Sequence, residues 1–145
     1  MINFDEATKT LIISAVVKTA YKQKKETDKG VVVKNVLSFY PDDKKKFYDL
    51  ITPVFTNVGK KFTPSWFKKQ EFVILKSLYD IPVLETDDNQ ITFDEWKNKG
   101  KCSEAKINVK MVLKTDDSEE YSGVIYPICV HVLEDGVEKN LFEGM

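Results

Sequence analysis

Apolar and polar residues alternate strictly along two stretches of the chain, and the period of two identifies them as β-strands with one buried face. In Thr10–Gln23, Leu11, Ile13, Ala15, Val17 and Tyr21 fall on one side, with Ser14, Lys18 and Lys22 on the other. In Glu104–Lys114, Ile107, Val109, Met111 and Leu113 alternate with Lys106, Asn108, Lys110 and Lys114. The β-branched content of the first stretch favours strand over helix. KKETDKG (Lys24–Gly30) reads as a turn, and VVVKNVLSFY (Val31–Tyr40) returns from it as a second strand, which gives a hairpin with a lysine-rich tip.

The period changes in PDDKKKFYDLITPVF. Phe47, Leu50, Ile51, Val54 and Phe55 follow the i, i+3, i+4, i+7, i+8 spacing of one helical stripe. Pro41, Asp42 and Asp43 suit a first turn, where acids meet the positive end of the helix dipole and a missing proline N–H costs nothing. Pro53 is expected to end or bend this helix. KKFTPSWFKK (60–69) reads as a loop, Glu71–Leu84 as a long third strand region, TDDN as a turn, and ITFDEW as a short strand or irregular return. KNKGKCS forms a loop around Gly100, TDDSEE an acidic turn, and Tyr121–Leu133 a last strand in which Pro127 calls for an edge position or a bulge. The sum is a mostly β chain: a small, curved or closed antiparallel sheet with one capping α-helix after the second strand. No linker divides it, so residues 1–145 form a single domain.

Charge sharpens this picture. The first 76 residues hold 15 lysines against 8 acidic residues, a balance of +7. The remainder holds 7 lysines against 15 acidic residues, a balance of −8. Such asymmetry points to a polyanionic partner for one half, or to two differently solvated faces of one domain. All 22 cationic side chains are lysine. Without arginine the chain lacks the planar fork that reads guanine edges, so any nucleic acid would be held through phosphates, independently of sequence.

Candidate chemistry is sparse. His131 and Cys129 share a strand face, but no third ligand or orienting acid stands near them in sequence, and a packed or surface histidine is the expectation. DDNQITFDE departs from a calcium loop, with Ile91 and Thr92 where ligands and glycine are needed. Phosphate-loop, nucleophile-elbow and HExxH patterns are absent from the sequence. The expectation is therefore a non-enzyme with no cofactor and no metal. Two cysteines 27 positions apart make no disulfide framework and suit a reducing cytoplasm. MINFDEATKT lacks the basic flank and apolar segment of a secretory signal, and no apolar run approaches a membrane span.

What remains is lysine interleaved with aromatic rings. Single-strand binders combine a cationic groove with stacking platforms, because every base has a π-face. The candidate contacts are Lys22, Lys24 and Lys25 beside Tyr21; Lys60, Lys61, Phe62, Trp66, Lys68 and Lys69 in the loop; and Lys106 and Lys110, outward on their strand. The competing reading drops the rings into the core, Phe67 before Trp66, and leaves the lysines in water.

Three phrases in series carry a resemblance: FVILKSLYDIPVLETDD, GKCSEAKINVKMVLK and YSGVIYPICVHVLEDG. At Lys76–Val83, Gly100–Lys114 and Gly123–Glu134 the chain resembles phage and viral single-stranded DNA-binding proteins of the OB-fold type, podophage-like in its two strands followed by a helix. The resemblance implies an OB-like small antiparallel β-barrel and sequence-independent binding of single-stranded DNA in viral replication and recombination, in the host cytoplasm, without catalysis or metal. Replication proteins are further partners it implies, and a homodimer is left open. The long acidic tail common in that family is not seen; the sequence ends LFEGM. A second functional class stays open beside it: a small viral or plasmid-borne protein that inhibits a host factor through its acidic half.

Overall fold

The structure is a computed structural model, and it describes residues 1–55, 63–114 and 124–137. Its chain order is β1 (Ile2–Asp5), β2 (Thr10–Thr27), β3 (Gly30–Pro41), α1 (Lys44–Phe55), α2 (Ser65–Lys69), β4 (Val73–Ser77), β5 (Val83–Leu84), β6 (Gln90–Ile91), α3 (Phe93–Asn98), β7 (Lys106–Lys114) and β8 (Val124–Glu134). The strands form one sheet in the order β4-β3-β2-β7-β8-β5-β6, with β1 added to β2. All pairings are antiparallel except β5 with β8.

The two alternating stretches lie side by side. Leu11, Ile13 and Ala15 pair with Met111, Val109 and Ile107, and all six are buried. Their partners on the opposite face, such as Ser14 and Asn108, join by a 2.9 Å side-chain hydrogen bond. The sheet curls around this core so that β4 and β8 approach each other, yet among the described residues β4 pairs only with β3. The expected mostly β architecture is present, but among the described residues the hydrogen-bonded sheet is not closed, and three helices stand where one was expected.

α1 buries Phe47, Tyr48, Ile51, Val54 and Phe55 against β3 and β7, with Leu50 half-buried. Pro41 is the last residue of β3 rather than part of the first helical turn. Asp43 caps the helix: its Oδ1 accepts from the Lys46 amide at 3.2 Å and its carbonyl from the Phe47 amide at 3.0 Å. Pro53 sits within the final turn and does not end the helix before Phe55.

Three differences from the pattern reading have local causes. Tyr21 is exposed rather than buried, because β2 bulges at Lys18, between Val17 and Thr19, and the alternation changes phase. The 71–84 run is not one strand. It bends after Ser77, where the Tyr79 amide donates to Ser77 Oγ at 3.0 Å and Asn35 Nδ2 to the Tyr79 carbonyl at 2.8 Å. Pro82 then leaves the chain to pair as β5 with a different strand, β8. In ITFDEW only Ile91 is strand, the end of β6; the rest closes as α3, because Thr92 and Glu95 form a reciprocal capping box. The expectation for Pro127 is met: Ile128 is the extra residue of a bulge opposite Lys110 and Met111.

The turn between β2 and β3 is shorter than expected. Thr27 pairs with Gly30, which leaves only Asp28 and Lys29 in the turn, and Gly30 adopts φ +118°, open to glycine and strained for other residues. The 18- and 12-residue strands therefore extend beyond the core as a two-stranded arm whose outer residues, 24–33, include no buried side chain.

Tyr48 gives a direct check on core packing. Its hydroxyl is buried and finds no hydrogen-bond partner among the described residues, and burial pushes the phenol up to about 12. The folded state thus favours the neutral form. Stability should be unaffected by this group below its ordinary pKa near 10 and fall as pH rises from there through about 12. Tyr48→Phe is expected to be neutral or stabilising by up to about 1 kcal/mol at neutral pH, and to remove part of the alkaline loss in urea titrations repeated across that window. A loss of more than about 2 kcal/mol at neutral pH would show that the hydroxyl is satisfied after all.

Candidate functional site

The approach of β4 to β8 without ladder bonds leaves a cleft of about 710 Å³ along the seam. Its floor is apolar and belongs to the core: Phe55 from α1, Leu75 from β4 and Ile125 from β8, all buried. Its rim differs in character. Lys34 of β3 and Lys76 of β4 supply cations, Trp66 of α2 and Tyr126 of β8 supply rings, and Leu78 is 60% exposed. Strand alternation explains the division. Lys76 pairs with Val36, so Lys76 and Lys34 share the sheet face opposite the core residues Leu37 and Leu75. Val124 and Tyr126 face outward, alternating with the buried Ile125 and Pro127. Lys114 Nζ lies 5.4 Å from the Tyr126 ring centroid, a cation–π arrangement that keeps another charge beside the platform.

Trp66 is positioned by a small aromatic cluster. The left-handed Gln70 (φ 54°) closes α2 by donating its amide to the Trp66 carbonyl at 2.9 Å. The Trp66 ring meets Phe55 edge-on at 5.7 Å, and Phe67 packs on Phe55 at 4.9 Å and Tyr48 at 6.2 Å. Both rings are half-buried against the core, so Phe67 takes the packing role expected of it, and Trp66 is at once packed and part of the cleft.

The other residues singled out in the sequence are dispersed. Lys60, Lys61 and Phe62 lie outside the described residues. Lys68 and Lys69 are exposed on the last turn of α2, and neither lines the cleft. Lys22 is tied to Asp94 of α3 at 2.6 Å. Lys24 and Lys25 point to opposite faces of the arm, since they pair with Val33 and Val32 respectively. Lys106 meets Glu134 at 3.4 Å, and Lys110 lines a separate polar depression of about 300 Å³ with Asn3, Asp5 and Thr10. The structure thus keeps Trp66 at the cleft, adds Lys34, Lys76 and Tyr126, and sets Lys114, an outward lysine of the same strand as Lys106 and Lys110, beside Tyr126. The available signal for two of these was a single lysine interrupting the apolar runs VVVKNV and VILKSL.

His131 gains an acidic neighbour that its own stretch of sequence does not supply, while the environment of Cys129 is of another kind. His131 Nε2 lies 3.3 Å from Asp88 Oδ1 at the surface. The Cys129 thiol is pushed up by burial, with Lys110 opposing the shift, which is the reverse of an activated nucleophile. Among the described residues no group of three or more His, Cys, Asp or Glu could hold a metal ion, and no helix is long and apolar enough to cross a membrane.

Among the solved structures similar to this chain are three of one phage protein. The single-stranded DNA-binding protein from bacteriophage Enc34 matches with a TM-score of 0.58 at 12% identity, over 94% of this chain and 87% of that one. Its C-terminal truncation matches with 0.58 at 11%, over 90% and 89%. The same phage protein in complex with ssDNA matches with 0.61 at 12%, over 91% and 90%. At this identity the likeness is one of fold. No protein-family model and no curated protein matches the sequence.

Proposed function

We propose that this chain is a single-domain, OB-like protein that binds single-stranded DNA without sequence preference, in viral DNA replication and recombination within the host-cell cytoplasm. The observation that carries the reading is the seam cleft, where lysines and rings share the rim of an apolar floor. Lys34 and Lys76 neutralise phosphates while Trp66 and Tyr126 accept bases on their faces. The fold likeness to a phage single-stranded DNA-binding protein, solved also with ssDNA, supports the same ligand. The absence of arginine favours phosphate contacts over base reading. The role is binding rather than catalysis, and it requires no metal.

Fluorescence titration with oligo-dT tests the proposal. Binding is expected to quench the tryptophan emission, and log K should fall linearly with log salt by about 0.7 for each phosphate neutralised. A flat titration at low ionic strength would remove the proposal.

A further inference from the structure

The β2–β3 arm carries its charges in a segregated pattern. Residues directly opposed in an antiparallel pair share a face. Tyr21 opposes Val36, Gln23 opposes Lys34, Lys25 opposes Val32 and Thr27 opposes Gly30. This face contains no acidic residue, and it is the face on which Lys34 and Lys76 line the cleft. The other face pairs Lys22 with Asn35, Lys24 with Val33 and Glu26 with Val31. There Lys22 is held by Asp94, and Asn35 by the Tyr79 carbonyl, so the base of the arm is pinned from that side. The bulge at Lys18 precedes the arm, and the register from Thr19 to Thr27 is continuous, so the two faces stay distinct to the tip.

From these placements we infer that the binding track does not end at the seam but continues along one face of the arm, over Tyr21, Gln23 and Lys25, toward the tip. The six-residue step from Tyr21 to Thr27 extends the site by about 20 Å. Tyr21, 41% exposed, offers a further ring, and Lys25 a further phosphate contact. Lys24, adjacent in sequence and equal in charge, faces away and takes no part. The inference rests on the proposed single-stranded DNA binding.

Lys24 is the natural control. The full chain and its Lys25→Glu, Lys24→Glu and Tyr21→Ala variants are titrated with oligo-dT of about 6 and about 20 nucleotides, lengths chosen around the ~4–16 nucleotide sites of single-strand binders. Lys25→Glu and Tyr21→Ala are expected to weaken the longer oligomer about 10-fold and the shorter one less than about 2-fold. Lys24→Glu should change either by less than about 2-fold. Equal losses from Lys24→Glu and Lys25→Glu would overturn the one-faced track, as would no loss from Lys25→Glu and Tyr21→Ala while the wild type binds. In both of these outcomes the proposed function survives. Absence of wild-type binding to either oligomer overturns the function and the track together.

Discussion

Replacing Lys34 and Lys76 together with alanine is expected to weaken oligo-dT binding roughly 60-fold at about 50 mM salt and to reduce the slope of log K against log salt by about 1.4, with the difference vanishing toward about 1 M. Both figures follow from releasing two single-strand counterions fewer. The pair is chosen because both side chains line the cleft and neither takes part in an ion pair among the described residues. Lys34 is half-buried and Lys76 exposed, and neither packs in the core, so the fold should persist; an unchanged urea midpoint confirms it. Lys106→Ala makes the appropriate comparison. Its ammonium is already matched by Glu134, and it lies on the strand that flanks β8 rather than on the cleft. An unaltered slope in the double variant, or an equal effect from Lys106→Ala, would locate the binding surface elsewhere.

What the sequence discloses follows the range over which each signal acts. β2 and β7 were legible because alternation is local and each strand buries one face. α1 was legible because its stripe repeats over three turns. Where a second cause intervenes the pattern misleads. Tyr21 continues the apolar alternation of Leu11–Val17 on paper, yet one bulged lysine reverses its side. Ile91 does end a short strand, β6, but Thr92 and Phe93, which look like its continuation by composition, are turned into a helix by the reciprocal Thr92–Glu95 bonds. That signal was present in the sequence as T-x-x-E and lost to β-propensity. The division of residues 71–84 between β3 and β8 was not legible, because choice of partner strand depends on residues about 40 positions away in either direction.

The same reasoning explains the site. Trp66 announces itself beside clustered lysines. Lys34, Lys76 and Tyr126 do not, because each is one outward residue in an apolar strand and acquires meaning only when β3, β4 and β8 meet at the seam. Counting lysines by their nearness in sequence favours 22–25 and 60–69; counting them by strand face separates Lys24 from Lys25 and joins Lys25 to Lys34. Local charge density was therefore a weaker guide than pairing register.

The largest effect on stability is expected at Trp96, among the largest fully buried side chains, held on α3 and meeting Phe93 edge-on at 5.9 Å. Trp96→Ala should cost about 3–5 kcal/mol through lost burial and the cavity left behind, a large part of the ~5–15 kcal/mol typical of a folded domain. Trp96→Phe should behave differently. It keeps an aromatic ring and also removes an indole N–H that is buried without a partner among the described residues, so a volume loss is offset by relief of an unsatisfied donor. Urea denaturation of the three proteins checks the order: wild type and Trp96→Phe within about 1.5 kcal/mol, Trp96→Ala well below both. Equal stability of the alanine variant would mean that α3 does not close the core. The phenylalanine variant has a second use. The chain holds two tryptophans, so Trp96→Phe leaves Trp66 as the only indole. Any quenching by oligo-dT in that background then reports the cleft, and a titration that quenches the wild type but not Trp96→Phe would take Trp66 out of the binding surface.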